Sequence, residues 1–268
     1  MMIAQHLIRT ITASFSSAAL ALTVFAGMPT GATAAEADAK TLLKAMSDYL
    51  TDQKAISFNY DSNLEVVAQD HQKLLLASSG RIEMGRPDKL RATRHGGFAD
   101  VEMVFDGKTL TVLGKDANRY AEVDVPGTID NLVNRLRDTL HRPLPAADLI
   151  LANVYEELMR DVIDVKDLGS GVVGGTECDH LAFRAKDVDW QIWIAQGENP
   201  YPCRYVITAS QVDQSPQYSI QISDWKTGID VVADDFSFEN KSKAEKVDLE
   251  KLPNIDELPD HLAPGGTK

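Results

Sequence analysis

Two hydrophobic periods alternate along this chain, and the places where one gives way to the other divide it into elements. Leu42, Leu43, Met46, Tyr49 and Leu50 stand at i, i+1, i+4, i+7 and i+8, one apolar stripe that predicts a helix from Glu36 to Gln53. The period then drops to two. Ile56, Phe58, Tyr60, Leu64, Val66 and Ala68 share one face of a long strand, and Asp70-His71 turns it. Leu74, Leu76, Ile82 and Met84 mark a second strand, broken by Arg86-Pro87-Asp88. Leu90 and Ala92 begin a third, closed by His95-Gly96-Gly97. Val101, Met103 and Phe105 alternate on a fourth. Asp106-Gly107-Lys108 reverses the chain, because Asp-Gly readily takes up the geometry of a tight hairpin. Leu110 and Val112 return, Asp116-Ala117-Asn118 turns again into Tyr120 to Val125, and Pro126-Gly127 ends the meander.

The middle of the chain reads as helical. Ile129, Leu132, Val133, Leu136 and Leu140 give a helix from Thr128 to His141, interrupted by Arg142-Pro143-Leu144-Pro145. Leu149, Ile150, Tyr155, Leu158 and Met159 predict a second from Ala146 to Arg160. Strands resume at Val162 to Leu168, with turns at Gly169, Gly171, Gly174 and Gly175. Cys178 to Lys186, Trp190 to Gln196, Cys203 to Val212 and Gln217 to Trp225 follow as four antiparallel strands. Their inner faces are Leu181 and Phe183, then Trp190, Ile192 and Ile194, then Tyr205 and Ile207, then Tyr218, Ile220 and Ile222. A last short strand is placed at Ile229 to Val232, and Phe236 and Phe238 pin the end. Short strands at close spacing with turn residues between them indicate an antiparallel sheet or barrel in an α+β fold.

The two ends differ from this body. Arg9, the apolar run Ala18 to Gly27 and the small-x-small triplet Ala32-Thr33-Ala34 have the layout of a secretory signal, with cleavage near Ala34. The apolar run is far shorter than the ~20 residues needed to span a bilayer. No transmembrane segment is therefore expected in the mature chain, whose compartment would be a bacterial periplasm. From Asn240 the chain is charged and poor in aromatics, which reads as a solvated or disordered tail. The expected organisation is a signal over residues 1–34, one domain over 35–239 and a tail over 240–268.

Net charge narrows the partners. The chain carries −13, and removing a signal whose only charged side chain is Arg9 leaves it one unit more negative. Nucleic-acid binding needs a basic face, and adhesion to anionic headgroups needs basic clusters, so neither is expected. Arg81, Arg91 and Arg94 form a local basic cluster. It reads either as a docking spot for an anion or as solvated strand-edge charges that blunt aggregation, the second being favoured.

Chemistry is sparse. Cys178 and His180 share a strand face, but a zinc site needs three or four ligands and no second pair supplies them, so no metal or other cofactor is expected. There is no Gly-x-Ser-x-Gly elbow and no His-Glu-x-x-His, so no catalytic residues are assigned and an enzyme is not expected. Cys178 and Cys203 are the only cysteines. An oxidising compartment favours a disulfide between them. A simple meander argues against it, since they would lie two strands apart, about 9–10 Å. Only a bulge or another strand order would bring them together.

Several segments resemble a known family. Phe105-Asp106-Gly107-Lys108-Thr109-Leu110 with Asn118-Arg119-Tyr120 and Pro126-Gly127-Thr128 looks like its first signature. Leu144-Pro145-Ala146-Ala147-Asp148-Leu149 looks like its LPxADLL segment, and Gly174 to Phe183 like its G-x-x-C-x-H-L-A-F strand. Asp189 to Ile194 and Pro216-Gln217-Tyr218 complete the likeness, which spans roughly Leu42 to Phe238. The family is domain of unknown function 2092, similar in architecture to the LolA/LolB lipoprotein carriers. The resemblance implies a strongly curved, half-closed antiparallel sheet whose concave face is covered by helices, with no established catalytic residues.

The concave face is then the candidate site. Phe58, Tyr60, Leu64 and Val66 from the first strand, Leu74, Leu76, Ile82 and Met84 from the second, Val101, Met103 and Phe105 from the fourth, and Leu110 and Val112 from the fifth would line it. An apolar concavity suits a lipophilic ligand or a lipoprotein acyl chain, and the expected function is a non-enzymatic carrier. The alternative is a structural or interaction module of the cell envelope with a collapsed core and a protein partner. Periodicity alone does not separate an open cavity from one filled by its covering helices.

Overall fold

The computed structural model describes residues 30–68, 70–231, 236–256 and 258–259. The body of the predicted signal lies outside them.

Twelve strands form one open sheet. They are β1 Ala55–Val67, β2 Lys73–Gly85, β3 Lys89–Gly96, β4 Asp100–Phe105, β5 Thr109–Gly114, β6 Arg119–Asp124, β7 Val162–Val173, β8 Thr176–Ala185, β9 Asp189–Ala195, β10 Pro202–Thr208, β11 Gln217–Thr227 and β12 Glu245–Lys246. The order across the sheet is β12-β6-β5-β4-β3-β2-β1-β11-β10-β9-β8-β7. Two meanders, β1 to β6 and β7 to β11, therefore meet at the β1–β11 pair. All pairs are antiparallel except β12 with β6, which makes the sheet mixed where only antiparallel pairing was expected. Register shifts in β1–β11, β9–β10 and β7–β8 add local bends to a sheet whose two edges stay apart.

Among the described residues, three α-helices accompany the sheet: α1 Thr30–Asp52, α2 Ile129–Asp138 and α3 Val154–Met159. In α1, Ala39, Leu43, Met46 and Leu50 are buried, as the stripe predicts, and the helix packs on β7, β9 and α3. Its first turn precedes the expected Glu36 start and spans the Ala32-Thr33-Ala34 triplet. α2 starts at a capping box, in which Thr128 Oγ1 accepts from the Asn131 amide and Asn131 Oδ1 accepts from the Thr128 amide. Its stripe, Ile129, Leu132, Val133 and Leu136, is buried in the main core.

Three expectations are corrected. The helix predicted over Ala146 to Arg160 is broken into a 3-10 turn, Ala147–Ile150, and α3. Ala146 takes a left-handed φ of 57°, Leu151 is extended, and Asp130 Oδ1 of α2 takes up the Ala152 amide at 3.0 Å. Tertiary anchoring thus overrides a helical stripe. The short strand placed at Ile229 to Val232 is a 3-10 turn, Gly228–Asp230, with Val232 beyond the described residues. Finally, the segment after Asn240 is not simply solvated. β12 pairs with β6, Leu249 and Leu252 are buried, and Ile255 and Leu258 pack against the core. Its charges, spaced between these four apolar residues, hide a strap that runs back over the sheet.

Candidate functional site

Strand register decides which side chains meet on the inner face. Phe58 stands opposite Ile82, Ile82 opposite Ala92, and Ala92 opposite Met103. One step along, Tyr60 faces Gly80, Gly80 faces Arg94, and Arg94 faces Val101. These two rows form one wall of a cavity of about 120 Å³; Tyr218, Ile220 and Ile222 of β11 extend it. The opposite wall is the covering segment with Leu144, Pro145, Ala146, Ala147, Leu149 and Ile150, and Ile255 of the strap closes one side.

Of the residues expected to line the site, Phe58, Tyr60, Ile82, Val101 and Met103 do border this cavity. Leu64, Val66, Met84, Phe105, Leu110 and Val112 lie instead in the close-packed core, each at most 4% exposed. Leu76 packs at the edge of that core, and Leu74 is half-buried on the same strand face. The helices and the strap occupy the concavity over those residues, so only its centre stays open.

Gly80 is required where it stands. A Cβ there would fall 2.0 Å from the Thr93 carbonyl oxygen and 2.6 Å from the Tyr60 ring. The missing side chain lets Tyr60 lie across the strand and donate to the Thr93 carbonyl at 3.0 Å.

The basic cluster resolves by strand parity. Arg81 and Arg91 point to the outer face, where Arg81 meets Asn59 and Glu83 and Arg91 meets Glu102. Arg94 points inward, is 8% exposed and borders the cavity, which corrects the reading of all three as solvated edge charges. Its guanidinium donates to the carbonyls of Ile255 at 3.0 Å and Asp256 at 2.8 Å and lies over the Phe98 ring. Arg142 reaches the Asp256 carboxylate at 2.5 Å.

A second arginine ties the cover to the sheet. Arg86, just beyond β2, donates to the carbonyls of Ile150 at 3.1 Å, Leu151 at 3.3 Å and Leu50 at 3.5 Å. One side chain thereby joins the end of α1, the 3-10 turn and the sheet. Burial lowers its pKa, with the Asp130 carboxylate pulling the other way. Deeper in the core, burial and the nearby Asp148 carboxylate push the Tyr205 hydroxyl well up.

The cysteines lie apart from the cavity. Cys178 and Cys203 are free thiols, both buried, in a small cluster with Val173 and Ala195. β9 separates their strands, as the meander argument holds. The register shift between Pro202 and Arg204, however, falls at Cys203, which packs in one cluster with Cys178, whose thiol donates to the Thr176 carbonyl at 3.4 Å. Burial, with the neighbouring thiol, pushes Cys203 up to about 12. His180 stacks on Trp193 at 4.0 Å and contacts Gln191 at 2.9 Å. Among the described residues there is no group of three or more metal-ligating side chains, and no helix is long and apolar enough to cross a membrane.

Among solved structures, the chain is similar to the lipoprotein LppX of Mycobacterium tuberculosis at 11% identity and a TM-score of 0.38, over 74% of this chain and all of that one. Against a chain of the Pseudomonas aeruginosa MucA/MucB complex the identity is 13% and the TM-score 0.43, over 81% and 67%. Against LprF of Mycobacterium bovis they are 10% and 0.42, over 74% and 97%. No curated protein matches in sequence. A family model described as a predicted periplasmic protein (DUF2092) matches residues 39–250, from within α1 to the beginning of the strap, and the chain belongs to that family.

Proposed function

We propose that this protein is a periplasmic, non-enzymatic carrier that shelters an acyl chain between its sheet and its cover. The observation that carries the reading is the position of the cavity. It lies where Phe58, Ile82 and Met103 of the sheet face Leu149 and Ile150 of a covering turn, and the cover is joined to β2 through one arginine. At about 120 Å³ the cavity is smaller than the ~300 Å³ at which ligand pockets begin. Loading therefore requires the cover to move. Each methylene taken out of water contributes about 0.8 kcal/mol, so a single chain suffices for useful affinity once the cover opens.

The small volume also favours a second reading, an envelope interaction module whose concavity is plain core. Native mass spectrometry of the protein purified from its periplasm, with organic extraction, separates the two. A co-purifying acyl species supports the carrier. An empty protein that takes up no fluorescent fatty-acid probe refutes it and leaves the module.

A further inference from the structure

We infer that the ligand of this cavity is an amphiphile with an anionic headgroup, held by Arg94 and Arg142, and that Ile255-Asp256 of the strap occupies its place in the closed protein. The inference rests on the carrier reading and adds the ligand's chemical class.

Arg94 is the reason to expect charge in an otherwise apolar site. It stands on the inner face of a central strand, 8% exposed, with the apolar cavity beside it. Taking a guanidinium out of water is costly unless it is hydrogen-bonded, so an arginine at this position is a binding group or a structural clamp. What it clamps has the layout of an amphiphile. Ile255 puts an aliphatic side chain into the cavity. The next residue, Asp256, gives its carbonyl to Arg94 and its carboxylate to Arg142. An apolar group at the pocket, followed at once by a residue whose carbonyl oxygen takes one guanidinium and whose carboxylate takes another, has the layout that a fatty acid or a lysophospholipid would present. Arginine forks suit carboxylates and phosphates alike, so both headgroups belong to the class.

Entry of such a ligand displaces a short piece of strap. Among the described residues, Leu258 packs against the core and Pro259 is buried on one side of it, and Leu252 anchors it on the other. The strap and ligand then compete for the same two arginines, and weakening the strap's hold tightens the ligand.

The test compares ligands of one chain length on the full exported protein by displacement of a fluorescent acyl probe. Palmitate and lysophosphatidate are set against monopalmitoylglycerol, which is uncharged. The expected result is a preference for the anionic pair on the order of tenfold or more, the worth of a charge-assisted hydrogen bond or two. Whichever of the two binds tighter identifies carboxylate or phosphate as the preferred headgroup. Arg94→Gln should bring the ratio toward one. Asp256→Asn, which leaves the cavity wall intact, should strengthen the anionic ligands by removing their competitor. Equal binding of charged and uncharged amphiphiles by the unaltered protein overturns the headgroup assignment while leaving the carrier reading in place. Binding of none of the three overturns both. The comparison on the unaltered protein and the Asp256→Asn result stand whether or not Arg94→Gln folds.

Discussion

Replacing Arg86 by methionine should open the cover without unfolding the sheet. The side chain makes two well-formed hydrogen bonds, to Ile150 and Leu151 at 3.1 and 3.3 Å, and a marginal one to Leu50 at 3.5 Å. Hydrogen bonds from charged donors contribute about 1.5–3 kcal/mol each. The two shorter ones together thus hold the joint with about 3–6 kcal/mol. Part of that is offset because the guanidinium is itself desolvated, as its lowered pKa records. A net loss of about 2–4 kcal/mol in the free energy of local opening remains, which is roughly a 30- to 700-fold rise in the open population. Methionine keeps the aliphatic stem and some of its packing. Amide hydrogen exchange reads the result region by region. Residues 144–159 and the last turn of α1 should exchange faster by that factor, while β2 to β5 keep their protection. Uptake of a fatty-acid probe should quicken in parallel. Unchanged exchange over 144–159 would show that the arginine does not hold the cover. Equal acceleration throughout the sheet would show that cover and sheet open as one unit, and the idea of a movable lid would fail.

Further outcomes follow from single side chains. Val101→Asp places a charge on the cavity wall and should abolish probe uptake in a protein that still folds by circular dichroism; uptake at the original level would remove that wall from the site. Phe105→Ala should instead cost about 3–5 kcal/mol in urea unfolding, because Phe105 is fully buried in packed core away from the cavity. Gly80→Ala should lower the unfolding midpoint by an amount equivalent to 1–3 kcal/mol or more, since its Cβ would collide with the Thr93 carbonyl; an unchanged midpoint would contradict the geometry. In the reduced protein, Cys203 at about 12 should resist iodoacetamide at pH 8 until denaturant is added. Because its folded pKa lies above that of an unfolded thiol, its contribution is complete below about pH 8.5–9. It is lost as pH rises toward 12, at up to about 1.4 kcal/mol per pH unit, and Cys203→Ala should flatten that fall. In protein taken from the oxidising compartment we expect the two thiols, which share one buried cluster, to be joined by exchange with a disulfide donor, which leaves as a dithiol. Two free thiols in non-reducing peptide maps would refute this.

The sheet is legible in the sequence because its turn chemistry and its period agree. Asp106-Gly107, Asn118 and Pro126-Gly127 end strands whose inner residues alternate cleanly, and β1 to β6 lie within a residue or two of where the pattern puts them. β8, β9 and β11 also lie within about two residues of the pattern, whereas β10 ends at Thr208 rather than Val212; the inner faces from Leu181 to Ile222 are buried as read. Failures fall where a distant contact outweighs a local preference. Residues 146–160 carry a helical stripe, yet Asp130 and Arg86 capture backbone groups at 150–152 and break the helix there. The strap after Asn240 has too few apolar residues to announce a packed segment, and its four anchors matter only because β6 and the cavity edge are already in place to receive them.

The candidate site was harder to read, for a reason that lies in how a sheet distributes its side chains. Period two assigns residues to a face but not to a place along it. Phe58 and Leu64 share a face of β1, yet the first borders the cavity with the covering turn and Ile255, and the second is buried in the core. Charge alone groups Arg94 with Arg81 and Arg91. Parity was available to separate them: Ala92 is inward, so Arg94 two residues on is inward too, whereas Arg91 is outward. An arginine whose register places it among apolar inner positions should be weighed as a ligand-facing group before it is counted as surface. Such a group is answered here by the strap, where the Asp256 carbonyl accepts from Arg94 and the Asp256 carboxylate pairs with Arg142.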